Sequence, residues 1–323
     1  MNHTTERVTL ARLPSGVEIE TTVHIYDGAA DGPTVYVQAA QHGREINGTE
    51  TLRRVHDELL AGETDLAGRL VAVPVADPLT FDRVSYTTPE QLDSVNPNMN
   101  RVWPGDPEGT VHERMAATLW EYAEDADAVV DLHTGSADML THVVFMEGHE
   151  ESRALAEAFG TDLLLSEEAG DDADTEWADR DFDGKLRVAA TREGIPTITP
   201  ELAHNKHLVE DAIEAGVAGT LSVLRHLDLL EGDPDADGAR RLARNHLGRV
   251  TADDAGLFRV DSDRAVGQRV EPGERVGTLY DPTTYEVLQE VETDRAGTLY
   301  SLTREATVSG GETLLSVALP REE

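Results

Sequence analysis

The chain has 323 residues and a formal net charge of −36 at neutral pH, with 63 Asp and Glu against 27 Lys and Arg. An apolar content of 39% supports one large or two ordinary domains and excludes disorder as the default state. The absence of cysteine excludes disulfides, thiolate nucleophiles and cysteine-ligated metals, and the absence of a basic patch argues against nucleic-acid binding.

Two lysines, Lys185 and Lys206, stand beside 25 arginines, and the acids are spread through the whole chain. Such a charge excess strains a compact state unless salt screens it, so the composition is that expected of a protein from a salt-rich cytoplasm. The segment Met1-Asn2-His3-Thr4-Thr5-Glu6 has no basic region followed by an apolar stretch, and no run approaches about 18 apolar residues. The expectation is a soluble, cytoplasmic protein without membrane partners.

In chain order, residues 6 to 28 read as an extended hairpin turning at Pro14-Ser15-Gly16. Strand-like runs follow at 33 to 40, 70 to 76, 127 to 132, 142 to 146 and 195 to 199. They alternate with helix-like segments at 47 to 60, 110 to 123, 150 to 159, 185 to 193 and 209 to 229. This alternation predicts an α/β domain over residues 1–235, a mostly parallel mixed sheet flanked by helices. The segment Asp77 to Gly109 is long and irregular, which marks it as functional. Residues 167 to 183, containing Glu167-Glu168-Ala169-Gly170-Asp171-Asp172, read as an acidic surface loop, and Glu231 to Gly238 as a polar linker. Residues 236–323 are short extended segments broken by Gly and Pro, a small all-β domain. Its Val270-Glu271-Pro272-Gly273-Glu274-Arg275-Val276-Gly277 turn resembles that of biotinyl/lipoyl β-sandwiches. No lysine follows Lys206, so no carrier lysine exists and the domain is expected to be structural, walling one side of the active-site crevice.

Three fragments carry chemistry: Gln41-His42-Gly43-Arg44-Glu45, Asp131-Leu132-His133-Thr134-Gly135 and Thr199-Pro200-Glu201. A catalytic zinc takes three imidazole or carboxylate ligands and keeps one position open for water. His42, Glu45 and His133 supply that set, one Zn2+ per chain, and Glu201 is the candidate for a carboxylate that moves protons without binding metal. His42 follows one apolar strand-like run and His133 ends another, at the carboxyl ends where open α/β sheets bind ligands. In the irregular segment, Asn100 and Arg101 offer a fork of donors for a carboxylate. His204 and His207 lie three apart without further ligand partners, whereas His56, His112 and His226 fall in helix-like segments and read as surface or packing residues. Ser85, Ser94 and Ser136 lack a G-x-S-x-G elbow.

His42-Gly43-Arg44-Glu45, Asn98-Met99-Asn100-Arg101-Val102-Trp103-Pro104-Gly105, Asp131-Leu132-His133-Thr134-Gly135 and Thr199-Pro200-Glu201-Leu202 together resemble the succinylglutamate desuccinylase/aspartoacylase family of zinc carboxypeptidase-like hydrolases. The resemblance implies that His42, Glu45 and His133 ligate zinc, that Glu201 is general base and acid, and that Asn100 and Arg101 hold a substrate carboxylate. Related families also use an Arg at the developing oxyanion, for which Arg83 is the candidate. Asn98 stands where the family usually has Asp, which bears on how Arg101 is positioned. The expected activity is deacylation of a small N-acyl amino acid or related amine. A metallocarboxypeptidase is the alternative, and a catalytically silent binding protein a third class.

Overall fold

The computed structural model of the chain describes residues 1–61, 65–135, 138–168, 177, 181–234, 240–244 and 248–321. Ser136, most of the acidic loop and the expected boundary at 235/236 lie outside the described residues.

The N-terminal hairpin pairs β1 (Asn2–Arg12) with β2 (Glu18–Asp27). Around it the sheet runs in the order β1-β2-β4-β3-β5-β8-β6-β7-β9. Here β3 is Ala30–Ala39, β4 Ala67–Val73, β5 Ala128–Gly135, β6 His142–Met146, β7 Leu163–Glu167, β8 Thr197–His204 and β9 Arg241–Arg244. Neighbours β4/β3, β3/β5, β5/β8, β6/β7 and β7/β9 are parallel, whereas β1/β2, β2/β4 and β8/β6 are antiparallel. The expected mixed sheet is therefore the one observed.

The central strands are apolar at almost every position because both faces are covered. Val35, Val37, Leu70, Ala72, Val130 and Leu132 join one core with α1 (Asn47–Ala61), α4 (Glu150–Phe159) and α6 (Glu210–His226). The alternate residues Tyr36, Val71, Val73 and Val129 join a second core with α3 (Val111–Ala123) and α5 (Leu186–Arg192). A period of two thus assigns each side chain its layer. It also sets Gln38, Asp131, His133, Thr199, Glu201 and His142 on the face of the second core.

The strand β7 has no counterpart in the sequence reading. Its Leu-Leu-Leu-Ser-Glu run is short and does not alternate, and only its place between β6 and β9 identifies it. In the irregular segment the structure forms a one-turn helix, α2 (Pro78–Phe81), and a 3-10 turn at Met99–Arg101.

Beyond residue 240, β9 stays in the main sheet, and β17 (Thr313–Pro320) pairs with it in antiparallel sense. β15 (Gly297–Leu302), β12 (Arg269–Val270) and β10 (Arg249–Thr251) complete this extension. Opposite it lies a separate sheet ordered β14-β13-β11-β16, formed by Val287–Glu292, Arg275–Tyr280, Gly256–Val260 and Thr307–Val308. These C-terminal strands enclose a core of their own, including Phe258, Val276, Leu279, Leu299 and Leu315. Val144, Leu165, Ala243, Tyr300 and Ala318 pack together where this unit meets the α/β body. Among the described residues no helix is long and apolar enough to cross a membrane.

Candidate metal centre and its cavity

At the end of β3, Ala40 takes a left-handed φ of 50° and turns the chain abruptly into the His42 loop. The Glu45 amide donates to the His42 carbonyl at 3.0 Å, which folds the two side chains toward each other. Gly43 makes this turn fit. A Cβ there would stand 1.9 Å from the Thr80 carbonyl carbon and 2.0 Å from the Phe81 nitrogen, so the loop lies directly on the backbone of α2. Asp77 caps that helix through the Leu79 and Thr80 amides, and Thr80 Oγ1 accepts from the Gly43 amide at 3.1 Å. Asn47, buried at the start of α1, donates to the Leu202 carbonyl at 2.8 Å and ties the loop to the strand that carries Glu201.

The structure brings His42, Glu45 and His133 together, with one donor atom from each within 4.8 Å of the others and all three residues buried. His42 Nδ1 lies 3.0 Å from Glu45 Oε1, and His133 Nδ1 lies 2.9 Å from Glu45 Oε2. The outer nitrogens are committed elsewhere: His42 Nε2 is 3.0 Å from Asn98 Oδ1 and His133 Nε2 is 2.9 Å from Asp131 Oδ2. An imidazole that donates Nε2–H to an oxygen presents its Nδ1 lone pair inward, the arrangement found around ligating histidines. The donor set and its supports therefore fit a zinc ion. Asp131 is itself held by Gln38 Nε2 at 2.9 Å and by Gln41 Nε2 at 3.0 Å, and Trp103 Nε1 fixes Gln41 at 2.6 Å.

Electrostatics follow this geometry. Burial pushes the Glu45 and Asp131 carboxyls upward, but the histidine charges and donated hydrogen bonds outweigh it, and both end below the usual range. Burial opposes charge on His133, yet Asp131 and Glu45 hold its pKa well above the ordinary value. The pocket is thus built to hold positive charge among its carboxylates.

Glu201 stands directly opposite His133 on the neighbouring strand, and His142 opposite Glu201 on the next. The Glu201 Oε2 is shielded from solvent and has no hydrogen-bond partner among the described residues. Burial raises its pKa to about 7; Glu45 and Asp131 add to the rise while His133 and Arg187 oppose it. A carboxyl poised there can take up and release a proton near neutrality.

These groups line a cavity of about 300 Å³ together with Asn100 and Arg101. Asn100 Oδ1 accepts from the Leu186 amide at 3.1 Å. Its Nδ2 is only in contact with His133 Nε2 at 3.5 Å, because that nitrogen already serves Asp131. Arg101 donates to the Asn100 carbonyl at 2.6 Å and its guanidinium lies 5.0 Å from the Phe182 ring. Asn98 acts on His42 and on the Asn100 amide, at 2.9 Å, rather than on the Arg101 side chain. Arg83 is not among the cavity-lining residues. It is exposed and donates to the Leu79 carbonyl at 2.8 Å, folding back on its own turn, so the structure corrects the expectation that it faces the reacting bond. His204 and His207 stack edge to face at 5.9 Å without a third ligand among the described residues. His112 is a packing residue, buried against Asp77 and Thr88.

Several cavity residues were not singled out from the sequence: Arg187, Lys185, Arg44, Tyr86 and His142. Arg187 is buried on α5, donates to Thr199 Oγ1 at 2.7 Å and pairs with Glu167; burial lowers its pKa to about 10. Lys185 also pairs with Glu167, at 2.9 Å. Being one of two lysines in the chain was its only sequence signal. Tyr86 stacks on His42 with ring centres 4.0 Å apart, and the Arg44 guanidinium lies over the Tyr86 ring, 4.8 Å from its centre. His142 Nδ1 is engaged by the Leu140 carbonyl at 2.8 Å, and burial lowers its pKa to about 4. Part of the cavity lining comes from the C-terminal strands through Arg249, Tyr300, Ser301, Thr313 and Ser316.

Residues 31–227, more than half of the chain, match the model of the succinylglutamate desuccinylase/aspartoacylase catalytic domain. The chain belongs to this family. The chain is 28% identical over 301 residues to N-alpha-acetyl-L-2,4-diaminobutyric acid deacetylase from Halomonas elongata, covering 89% of this chain and 82% of that one. The fold matches a succinylglutamate desuccinylase from Silicibacter sp. with a TM-score of 0.82 at 22% identity, covering 99% of this chain and 95% of the other. The product-bound ectoine utilization protein EutE (DoeB) from Ruegeria pomeroyi matches equally well, with a TM-score of 0.82 and 22% identity over 98% and 95% of the two chains. The likeness of fold to these two structures covers the C-terminal strands as well.

Proposed function

We propose that this member of the desuccinylase/aspartoacylase family is a zinc-dependent hydrolase that removes the acyl group from a small N-acyl amino acid or related N-acylated amine. The observation that carries the reading is the convergence of His42 Nδ1, Glu45 and His133 Nδ1, with Glu201 beside His133 on the adjacent strand. The Halomonas relative, named as a deacetylase of an acylated diamino acid, supports the same class of substrate.

His42, Glu45 and His133 would hold the zinc, which when bound supplies a Lewis acid for the acyl carbonyl and acidifies water. Glu201 takes the proton from the attacking water and returns it to the departing amine. Its unpartnered Oε2 and its pKa near neutrality suit both transfers. Negative charge developing in the cavity meets the guanidinium groups of Arg44, Arg101 and Arg187, and the Nε donors of Arg44 and Arg187 have no hydrogen-bond partner among the described residues. Asn100 and Arg101 orient a substrate carboxylate. A cavity of about 300 Å³, closed on one side by C-terminal strands, favours a small amide over a long peptide and so the deacylase over the carboxypeptidase.

The test is Glu201→Gln assayed against a panel of N-acyl amino acids, blocked dipeptides and longer peptides. The variant should hold zinc like the parent and lose a hundredfold or more in turnover, the scale of general acid–base catalysis. Loss of zinc, or undiminished turnover, would reject Glu201 as the proton carrier. A marked preference of the parent enzyme for peptides would reject the deacylase reading.

A further inference from the structure

A second group of metal-ligating side chains lies outside the catalytic cavity. On β2, His24 and Tyr26 are two residues apart and share one face of the sheet. His3 on β1 stands directly opposite Tyr26, and His56 approaches from α1. His3 Nε2 and His24 Nδ1 are 3.2 Å apart, and one nitrogen from each of His3, His24 and His56 lies within 4.8 Å of the others. None of the three lines the catalytic cavity. The start of α1 follows Glu45 closely, and His56 is nine residues further along the helix, about 14 Å at 1.5 Å per residue.

Ring packing alone does not explain this arrangement. His3 stacks on Tyr26 at 4.6 Å, but it meets His56 edge to face at 5.0 Å, and nitrogens rather than carbon edges converge. The Tyr26 hydroxyl lies 2.7 Å from His56 Nδ1. When Nδ1–H donates to that oxygen, Nε2 carries the lone pair, so Tyr26 selects the ligating tautomer as an oxygen does behind many metal-bound histidines. Burial, and then repulsion from neighbouring imidazole, lowers the pKa of His3 and His24, a shift toward the neutral form that binds metal. All three residues are half-buried, so an ion can enter, and a chain of charge −36 concentrates divalent cations around itself.

We propose that His3, His24 and His56 form a second, three-histidine site for a borderline divalent transition metal such as Zn2+, with Tyr26 as its orienting partner. Three imidazoles from three elements, with an outer position left for water, suit zinc, nickel or copper rather than calcium or magnesium. The ion clips the edge strand β1 to β2 and α1, and binding to the folded chain alone stabilises it by mass action.

The experiment uses the tag-free full chain, stripped of metal and titrated with zinc alone, with stoichiometry read by equilibrium dialysis and elemental analysis. The parent should take two zinc ions per chain, and His24→Asn and His56→Gln one each. A His42→Ala/His133→Ala double variant isolates the new site: it should still bind one zinc, and its Tm should rise with zinc. His3→Asn, a change at a half-exposed strand position with little risk to folding, should abolish both responses in that background. Titration of the double variant with Cu2+ should give an EPR spectrum with nitrogen hyperfine structure from imidazoles. Two zinc ions retained by His24→Asn and His56→Gln, or none bound by the double variant, would overturn the proposal without touching the catalytic reading.

Discussion

Asn98 offers a clean probe of how the proposed zinc site is tuned. Its Oδ1 accepts from His42 Nε2 at 3.0 Å and from the Asn100 amide at 2.9 Å, whereas the equivalent support of His133 is the carboxylate of Asp131. One ligating histidine is thus backed by a neutral acceptor and the other by a charged one. Asn98→Asp keeps both acceptor contacts and changes the amide to a carboxylate of nearly equal size. A hydrogen bond to a neutral partner contributes about 1 kcal/mol net and one to a charged group about 1.5–3 kcal/mol. The gain in His42 basicity is then of order 1 kcal/mol, which corresponds to roughly 5–10-fold tighter zinc binding. Asn98→Ala removes the acceptor and should weaken binding by about 10–100-fold, the usual effect of losing such an outer partner. Competition with a chromophoric chelator at fixed pH and salt measures both. Zinc affinity unchanged in Asn98→Ala, or weakened in Asn98→Asp, would refute the claim that this oxygen orients His42.

Gly43→Ala should expel the His42 loop from the backbone of α2, since its Cβ would stand 1.9 Å from the Thr80 carbonyl carbon. The expected result is loss of zinc together with about 2 kcal/mol or more of stability in urea unfolding, and full zinc occupancy would contradict it. His142 is buried, and burial holds its folded pKa at about 4 against an ordinary value of 6.5. The unfolded chain therefore binds the extra proton between pH 6.5 and 4, so stability is full above about 6.5 and is lost as pH falls through that window. The loss is of order 3 kcal/mol at most. His142→Gln should flatten that part of the stability profile, and superimposable profiles would show that His142 is not the group responsible. With a charge of −36, the chain should have a lower Tm in dilute buffer, where the Debye length is about 30 Å, than in molar KCl, where it is about 3 Å. Equal melting temperatures in the two would reject the halophilic reading.

The sequence by itself determined the parts that depend on local pattern. The order of strands and helices followed from periodicity because both faces of the central strands are covered and the helices are amphipathic. The H-x-x-E turn and the D-x-H strand were legible because a turn of four residues and a period of two each fix which side chains share a face. Even the C-terminal strands announced themselves through their glycines and prolines. Tertiary structure alone decided what comes together across the sheet. β7 and β9 became strands through their neighbours, and β9 carried the C-terminal unit into the main sheet. Lys185 and Arg187 at the start of α5, His142 on β6 and Tyr300 on β15 entered the cavity from three separate elements, while Arg83 turned back to the Leu79 carbonyl of α2. Asn98 proved to support His42, 56 residues away in the chain. His3, His24 and His56 carry no shared pattern in the sequence, and register and helix packing gathered them. Local sequence encodes which face a side chain occupies, whereas the meeting of distant faces depends on strand register and layer packing, to which the whole chain contributes.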